Sequence, residues 1–289
     1  MKPIRIISDS AVDMPREEAD ALGIDIMPLS IVFPEGVVSS EDLTPDSFYD
    51  RLRAMEPAIP TTSMPAPGQF AALFKDVADR GEEPIAVHIS SGLSGTIHAA
   101  RTGAEQADID VTIVDTMTLS GGQRFQVLAA ASAARIGLSK EAILERLDTI
   151  RAATEVVYTL ETLKYLQHGG RIGRVSALMA SILDIKPLIR VDQRDGKYST
   201  VGKARSIRRA VDGLISFVEE RYGFETPLWV SVMHGQFEEQ ADNVIEKLRE
   251  RLLIARSEVL RISPVLGVHT GPGIVGIAAV PMELVEDLL

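Results

Sequence analysis

The chain contains no cysteine, which excludes disulfides, thiolate metal sites and cysteine nucleophiles. Its five histidines are scattered and never take an HExxH-like spacing, so nothing in the sequence argues for a metal centre. It also lacks a P-loop, GxxxxGK followed by Ser or Thr, and with it a cradle for nucleotide phosphates. The nearest approach to a nucleophile elbow, Gly92-Leu93-Ser94-Gly95-Thr96, fails GxSxG at its fifth position. No acid and histidine pair follows in the order of an α/β-hydrolase. No apolar stretch reaches the ~18 residues a membrane span needs, and the opening MKPIRIISDSAVDMP turns polar after a short apolar run. A cytoplasmic protein without metal or cofactor is expected. Internal repeats and low-complexity linkers are missing as well.

What remains is ordinary globular material: 289 residues, 45% hydrophobic and 25% charged, enough for two domains with substantial cores. A net charge of −11 argues against nonspecific binding to nucleic acid and allows at most transient contact with an anionic membrane. The charge is unevenly spread. Lys164 to Arg209 holds eleven Lys or Arg and three acidic residues, a local excess of +8 that leaves −19 for the remainder. Such a window is either a solvated basic face or a docking surface for an acidic protein or a phosphate-bearing ligand.

Strand-like runs alternate with helical patterns through the first half, as in a parallel sheet flanked by helices. Ile4 to Ser8 reads as a strand, Pro15 to Leu22 as a helix closed by Gly23, and Thr44-Pro45 as a helix start. Phe70, Leu73, Phe74 and Val77 fall at i, i+3, i+4 and i+7, predicting a helix over 68–80. EPIAVHIS and VTIVDT are further strands, and helices are predicted over 122–136 and 139–150. From about residue 155 the pattern becomes mixed: strand EVVYTL, a short helix running into GGRIGR, a hairpin about Asp195-Gly196, and two longer helices alternating with strands. The expectation is an α/β protein of two domains, an N-terminal one over 1–153 and a C-terminal mixed α/β one over 154–289.

Four segments could carry chemistry. His88 to Thr96 joins a strand to a helix, where open α/β sheets bind ligands. Its hydroxyls and the free amides of a helix start suit an anion, although Ser94 or Thr96 equally fits an N-cap. Thr61-Thr62-Ser63-Met64-Pro65 reads as a rigid loop of donors or an ordinary connection. His269-Thr270-Gly271-Pro272-Gly273 reads as a tight turn where backbone can approach a ligand. Gly169-Gly170-Arg171-Ile172-Gly173-Arg174 offers fork-shaped donors for carboxylate or phosphate.

Taken together with SDSAVDMP near the start, IKPLI at 185–189 and GKARSIRRA at 202–210, the order of these segments resembles the DegV family of bacterial fatty-acid-binding proteins over almost the whole chain. Met64 departs from the family's usual glutamine but leaves both hydroxyls in place. The resemblance implies two α/β domains with one long-chain fatty acid between them. It implies a carboxyl group held by Thr62, Ser91, Ser94 and His269, with Arg171 near the opening. Ser63, Gly92 and Thr270 complete the candidate ligand-binding set. It further implies a non-catalytic carrier that presents the acid to a fatty acid kinase catalytic subunit for acyl-phosphate formation, on the way to the acyl-phosphate-using enzymes of phospholipid synthesis. Arg171, Arg174, Lys203 and Arg205 would then ring the exit as a docking surface. A tail of ~16 carbons would contribute on the order of 10 kcal/mol gross, before ordering costs. Leu93, Ile97, Leu178, Met179, Ile182 and Leu183 are candidates to line it. The alternative is a small-metabolite enzyme related to dihydroxyacetone kinase subunits, for which the only titratable groups in these loops are His269 and His88.

Overall fold

The computed structural model describes residues 2–180 and 185–288, with side chains given except at 178–180. Branched apolar runs build the first sheet. Strand β1 (Ile4–Asp9) lies between β2 (Ile24–Met27) and β6 (Glu83–His88), with β7 (Thr112–Asp115) outside β6, all parallel. The helices in the connections between these strands are α1 (Arg16–Leu22), α2 (Pro45–Ala54), α3 (Pro67–Asp79) and α4 (Thr96–Ala107). Thr44 caps α2 as read, its hydroxyl accepting from the Ser47 amide at 3.2 Å. The apolar stripe of α3 is buried as Phe70, Phe74 and Val77 against Ile7 and Ala86 on one face of the sheet.

Helix α5 (Ser120–Arg135) covers the other face. It is buried continuously from Ser120 to Ala133 because it is sandwiched between the parallel sheet and a second, six-stranded one. Small residues permit that. A Cβ at Gly121 would lie 2.8 Å from the Ala278 Cβ, and one at Gly122 would lie 2.5 Å from a Val156 methyl. The helix therefore begins two residues earlier than its pattern suggests, with Ser120 itself in the left-handed region at φ 53°. Helix α6 (Lys140–Ala153) leads into the second sheet.

That sheet is mixed, in the order β10 (Lys197–Ala204), β9 (Lys186–Asp192), β8 (Glu155–Leu160), β13 (Ile274–Pro281), β11 (Leu228–His234), β12 (Ile254–Arg261). All neighbours are antiparallel except β11 and β12. Helices α8 (Ile207–Tyr222) and α9 (Glu238–Arg251) pack a separate apolar core onto its outer face. The result is five layers, helix, sheet, helix, sheet, helix, in agreement with the expected α/β class. Among the described residues no helix is long and apolar enough to cross a membrane.

Of three short elements, two were not expected and one, the short helix before GGRIGR, was. An antiparallel sheet, β4 (Gly36–Ser39), β3 (Ser30–Phe33), β5 (Thr61–Ser63), places the Thr61-Thr62-Ser63 segment on a strand and not in a loop. Helix α7 (Lys164–His168) ends at Gly169. Helix α10 (Pro264–Thr270) contains His269 and Thr270 in its last turn, so only Gly271 onward forms the turn read there; Gly271 ends the helix at φ 73°. Of the tail-lining candidates, Ile97 is buried and Leu93 is half-buried against the core, whereas Ile182 and Leu183, and the side chains of Leu178 and Met179, lie outside the described residues.

The Ser90 to Gly95 loop docks on the tip of the β9–β10 hairpin. Ser90 Oγ donates to the Gly196 carbonyl at 2.8 Å, and a Cβ at Gly92 would lie 2.5 Å from the Asp195 carbonyl oxygen and 2.7 Å from the Gly196 carbonyl carbon. Both obstacles are backbone, so no rotamer change relieves them. Gly92→Ala is expected to cost about 1–3 kcal/mol through overpacking, read as a lower urea midpoint at unchanged m. A midpoint equal to wild type would mean that the loop and hairpin do not meet in solution.

Candidate functional site

The small antiparallel sheet exists, in effect, to bring Thr62 to α10. Alternation along β5 sends Thr62 one way and Thr61 and Ser63 the other. Thr62 Oγ1 meets His269 Nε2 at 2.8 Å, while Ser63 Oγ is turned outward and donates to the Met64 carbonyl at 3.2 Å. The two hydroxyls that looked equivalent in sequence are thereby separated.

His269 is only 9% exposed, and its Nδ1 is buried without a partner. Gly169 makes room for the ring, since a Cβ there would lie 2.0 Å from Nδ1. Burial, and then the neighbouring positive charges of Arg171 and His168, push the imidazole down to about 4. The ring is thus neutral at physiological pH. If the Thr62 hydroxyl donates to Nε2, Nδ1 carries a proton that has no acceptor; in the other tautomer Nδ1 is a free acceptor.

Arg171 spans from this turn to the serine loop. Its Nη1 donates to the Gly169 carbonyl at 2.7 Å and its Nε to the Leu93 carbonyl at 3.5 Å, and among the described residues it forms no ion pair. Met64 closes the other side, its sulfur so near Gly95 that a Cβ there would lie 2.6 Å from it. Residues 62–64, 93–95, 169–171 and 269 therefore converge on one place.

Other candidates are already engaged. Ser94 Oγ shares a 2.8 Å hydrogen bond with Thr96 Oγ1 and accepts from the Thr96 amide at 3.3 Å, a local turn contact just ahead of α4, whose N-cap is Gly95 and not Ser94 or Thr96. Ser91 is exposed, its amide donating to the Asp115 carboxylate at 3.3 Å. Thr270 Oγ1 donates to the Leu266 carbonyl at 3.1 Å. His88, considered as a base, is fully buried. Its Nδ1 lies 3.0 Å from Asp9 Oδ2, which also accepts from the Ile89 amide at 2.9 Å, so the pair ties β1 to β6 beyond reach of any substrate.

Beneath Thr270 an apolar cavity of about 20 Å³ runs between α5 and the mixed sheet, lined among others by Leu119, Tyr158, Tyr198, Met233 and Leu266. That is room for about one water molecule, so a longer occupant would have to part these side chains. None of this lining was anticipated. The aromatic residues within EVVYTL and KYSTV were the available signal, but their facing across two strands is visible only once β8 and β10 are placed.

The basic window is less free than its composition suggests. Arg174 is paired with Asp195 at 2.7 Å, and Arg190 and Arg194 converge on Asp192. Asp192 is held well below the usual carboxylate range, chiefly by hydrogen bonds from Arg194. Lys203 and Arg205 form no ion pair among the described residues, but they lie at the far end of the hairpin. The four cations do not form a compact ring. At ~3.3 Å per residue, Lys203 stands about 20 Å along β10 from Lys197 at the hairpin tip.

A family model described as an uncharacterised protein of the DegV family matches residues 3–282. A DegV domain-containing protein of Deinococcus radiodurans is 40% identical over 258 residues, 89% of each chain, and one of Clostridium perfringens is 34% identical over 96% of this chain and 98% of its own. Among solved structures, a DegV family protein from Thermus thermophilus described for its fatty acid binding superposes with a TM-score of 0.89 at 28% identity, covering 97% of this chain and all of that one. DegV of Bacillus subtilis, described as a fatty acid binding protein, gives 0.87 at 27% identity with the same coverage. The chain belongs to the DegV family.

Proposed function

We propose that the protein binds one long-chain fatty acid, its carboxyl group at Thr62 and His269 and its tail in the cavity between α5 and the mixed sheet, and presents that carboxyl group to a partner kinase without catalysing a reaction itself. The observation that carries this is a neutral, buried imidazole, bonded to a hydroxyl and holding one nitrogen unpartnered among the described residues, on the same short helix whose Leu266 and Thr270 line an apolar cavity. The fatty-acid binding of the Thermus and Bacillus relatives supports the ligand class.

The chemistry follows from the donors. A carboxylate leaving water needs hydrogen bonds or an opposite charge. Thr62 Oγ1 and the imidazole supply the first, and Arg171, without an ion pair among the described residues, supplies the second. The same carboxylate would raise the His269 pKa from its low value, so the ring can become a charged donor on binding. Apolar burial of the tail then provides most of the affinity at ~0.8 kcal/mol per methylene. With Arg174 engaged by Asp195, the docking cations reduce to Arg171 near the head group and Lys203 and Arg205 further along the hairpin.

Protein purified from its cells and denatured in the mass spectrometer should release a fatty acid, and delipidated protein should take one up. Absence of lipid together with failure to bind added palmitate or oleate would overturn the reading. Reversing Lys203 and Arg205 to Glu, both away from the head group, should slow phosphorylation of the bound acid by the kinase while lipid stays bound. Unchanged phosphorylation would remove the docking role.

A further inference from the structure

Tyr158 does not fit a cavity built for a plain hydrocarbon. It stands on β8, facing α5, 3% exposed, and its hydroxyl is buried without a hydrogen-bond partner among the described residues. The Tyr198 ring from β10 meets it edge to face, centroids 5.6 Å apart at 78°, which brings the two phenol hydroxyls near each other without closing a hydrogen bond of ordinary geometry. Across the sheet the register sets Gly276 opposite Tyr158, where a Cβ would lie 2.7 Å from the tyrosine Cβ. A glycine thus yields its space to this ring. Both tyrosines line the cavity that begins beneath Thr270. Of the other hydroxyls of the wall, Ser120 Oγ donates to Asp13 and lies 3.0 Å from Met233 Sδ, and Thr270 donates to Leu266, which leaves the neighbouring Tyr198 hydroxyl as the second free polar group among the described residues of the lining.

A buried donor without an acceptor is costly, and phenylalanine would pack the same ring without that cost. We infer that Tyr158 is a specificity-determining residue, whose hydroxyl binds an oxygen carried along the tail of the ligand, so that the favoured ligands are fatty acids with a hydroxyl on the chain. This rests on the cavity being the tail site, as proposed above. It adds that the wall selects for tail chemistry as well as for apolar bulk. A hydroxyl on the chain can accept from Tyr158, and a saturated tail leaves the donor as it is.

The test uses delipidated full-length protein and competition between stearate and a series of hydroxystearates with the hydroxyl stepped along the chain. One positional isomer is expected to bind about five- to tenfold more tightly than stearate, the worth of one hydrogen bond to a buried donor. In Tyr158→Phe, which keeps ring and packing, the ratio of that isomer to stearate should fall to about one, with thermal melting confirming a folded protein. A wild type in which no isomer outcompetes stearate, or which favours only cis-unsaturated tails, overturns the inference; so does a Tyr158→Phe protein that keeps the preference. Failure to bind stearate at all would instead strike the fatty-acid reading, so the two failures are distinguishable.

Discussion

Between pH 4 and 6.5 the stabilities of Asp13→Asn and His269→Gln are expected to move in opposite directions relative to delipidated wild type. Asp13 is 6% exposed, in the left-handed region at φ 50°, and accepts from the Ser263 amide at 2.8 Å and from Ser120 Oγ. Burial raises its carboxyl from 3.8 to about 6, against the opposing hydrogen bonds of Ser120 and Ser263 and the charge of Arg124. With a raised folded value, its contribution is fully present below pH ~4 and is lost as pH climbs through 6. His269 behaves inversely. Its folded value is depressed from 6.5 to about 4, so its contribution is present above 6.5 and is lost as pH falls through 4. At 1.36 kcal/mol per pKa unit each amounts to about 3 kcal/mol.

The two effects therefore largely cancel in the wild type within that window. Removing one exposes the other. The difference curve of Asp13→Asn minus wild type should rise by about 3 kcal/mol from pH 4 to 6, and that of His269→Gln should fall by a similar amount, both read from urea midpoints at stepped pH. Asparagine tolerates the left-handed backbone, so the first variant does not add strain. Two variants running parallel to wild type would show that neither group is as desolvated as its surroundings indicate. Loading with fatty acid should flatten the His269 limb, because a bound carboxylate favours the protonated ring.

The sequence was informative where structure is local. EVVYTL, PLWVSVMH and the spacing of Phe70, Phe74 and Val77 announced their strands and helix because branched apolar runs and 3.6-residue periods need no distant partner. Thr62 and Ser63 could not be told apart, since a three-residue strand is too short to declare its alternation. Helix α10 was hidden for a different reason. PVLGVHT has seven residues and a central glycine, and that glycine is explained only by Phe48 and Tyr49, whose atoms would lie 2.6 and 2.8 Å from a Cβ at Gly267. His88 looked available beside a serine-rich loop, yet the group that occupies it, Asp9, is 79 positions away. Ser94 lent itself to a binding role and a capping role alike, but the cap position falls on Gly95 and Ser94 instead closes a two-residue turn with Thr96. The cavity was beyond reach altogether, because its wall is assembled from α5, α10 and four strands of the mixed sheet, β10, β8, β13 and β11, that are far apart in sequence.

Gly169→Ala is expected to be the most damaging small change at the head-group site. Gly169 has φ −72° and ψ −5°, so alanine fits the backbone and only space is at issue. The new methyl would lie 2.0 Å from His269 Nδ1 and 2.6 Å from its Cε1. The imidazole cannot yield freely, since it is buried and its Nε2 is held by Thr62 at 2.8 Å. Overpacking should cost about 1–3 kcal/mol of stability. Displacing the ring also removes a hydrogen bond to a charged ligand group, worth about 1.5–3 kcal/mol, so fatty-acid affinity should fall by roughly ten- to a hundredfold. Gly68→Ala serves as the control: nothing lies within 4 Å of its Cβ position, and alanine favours helix α3 by up to about 1 kcal/mol. Binding isotherms for both variants, each with a melting curve, separate the two effects. A folded Gly169→Ala protein with wild-type affinity would move the carboxyl group away from His269 and leave Arg171 as the remaining unpaired charge to hold it.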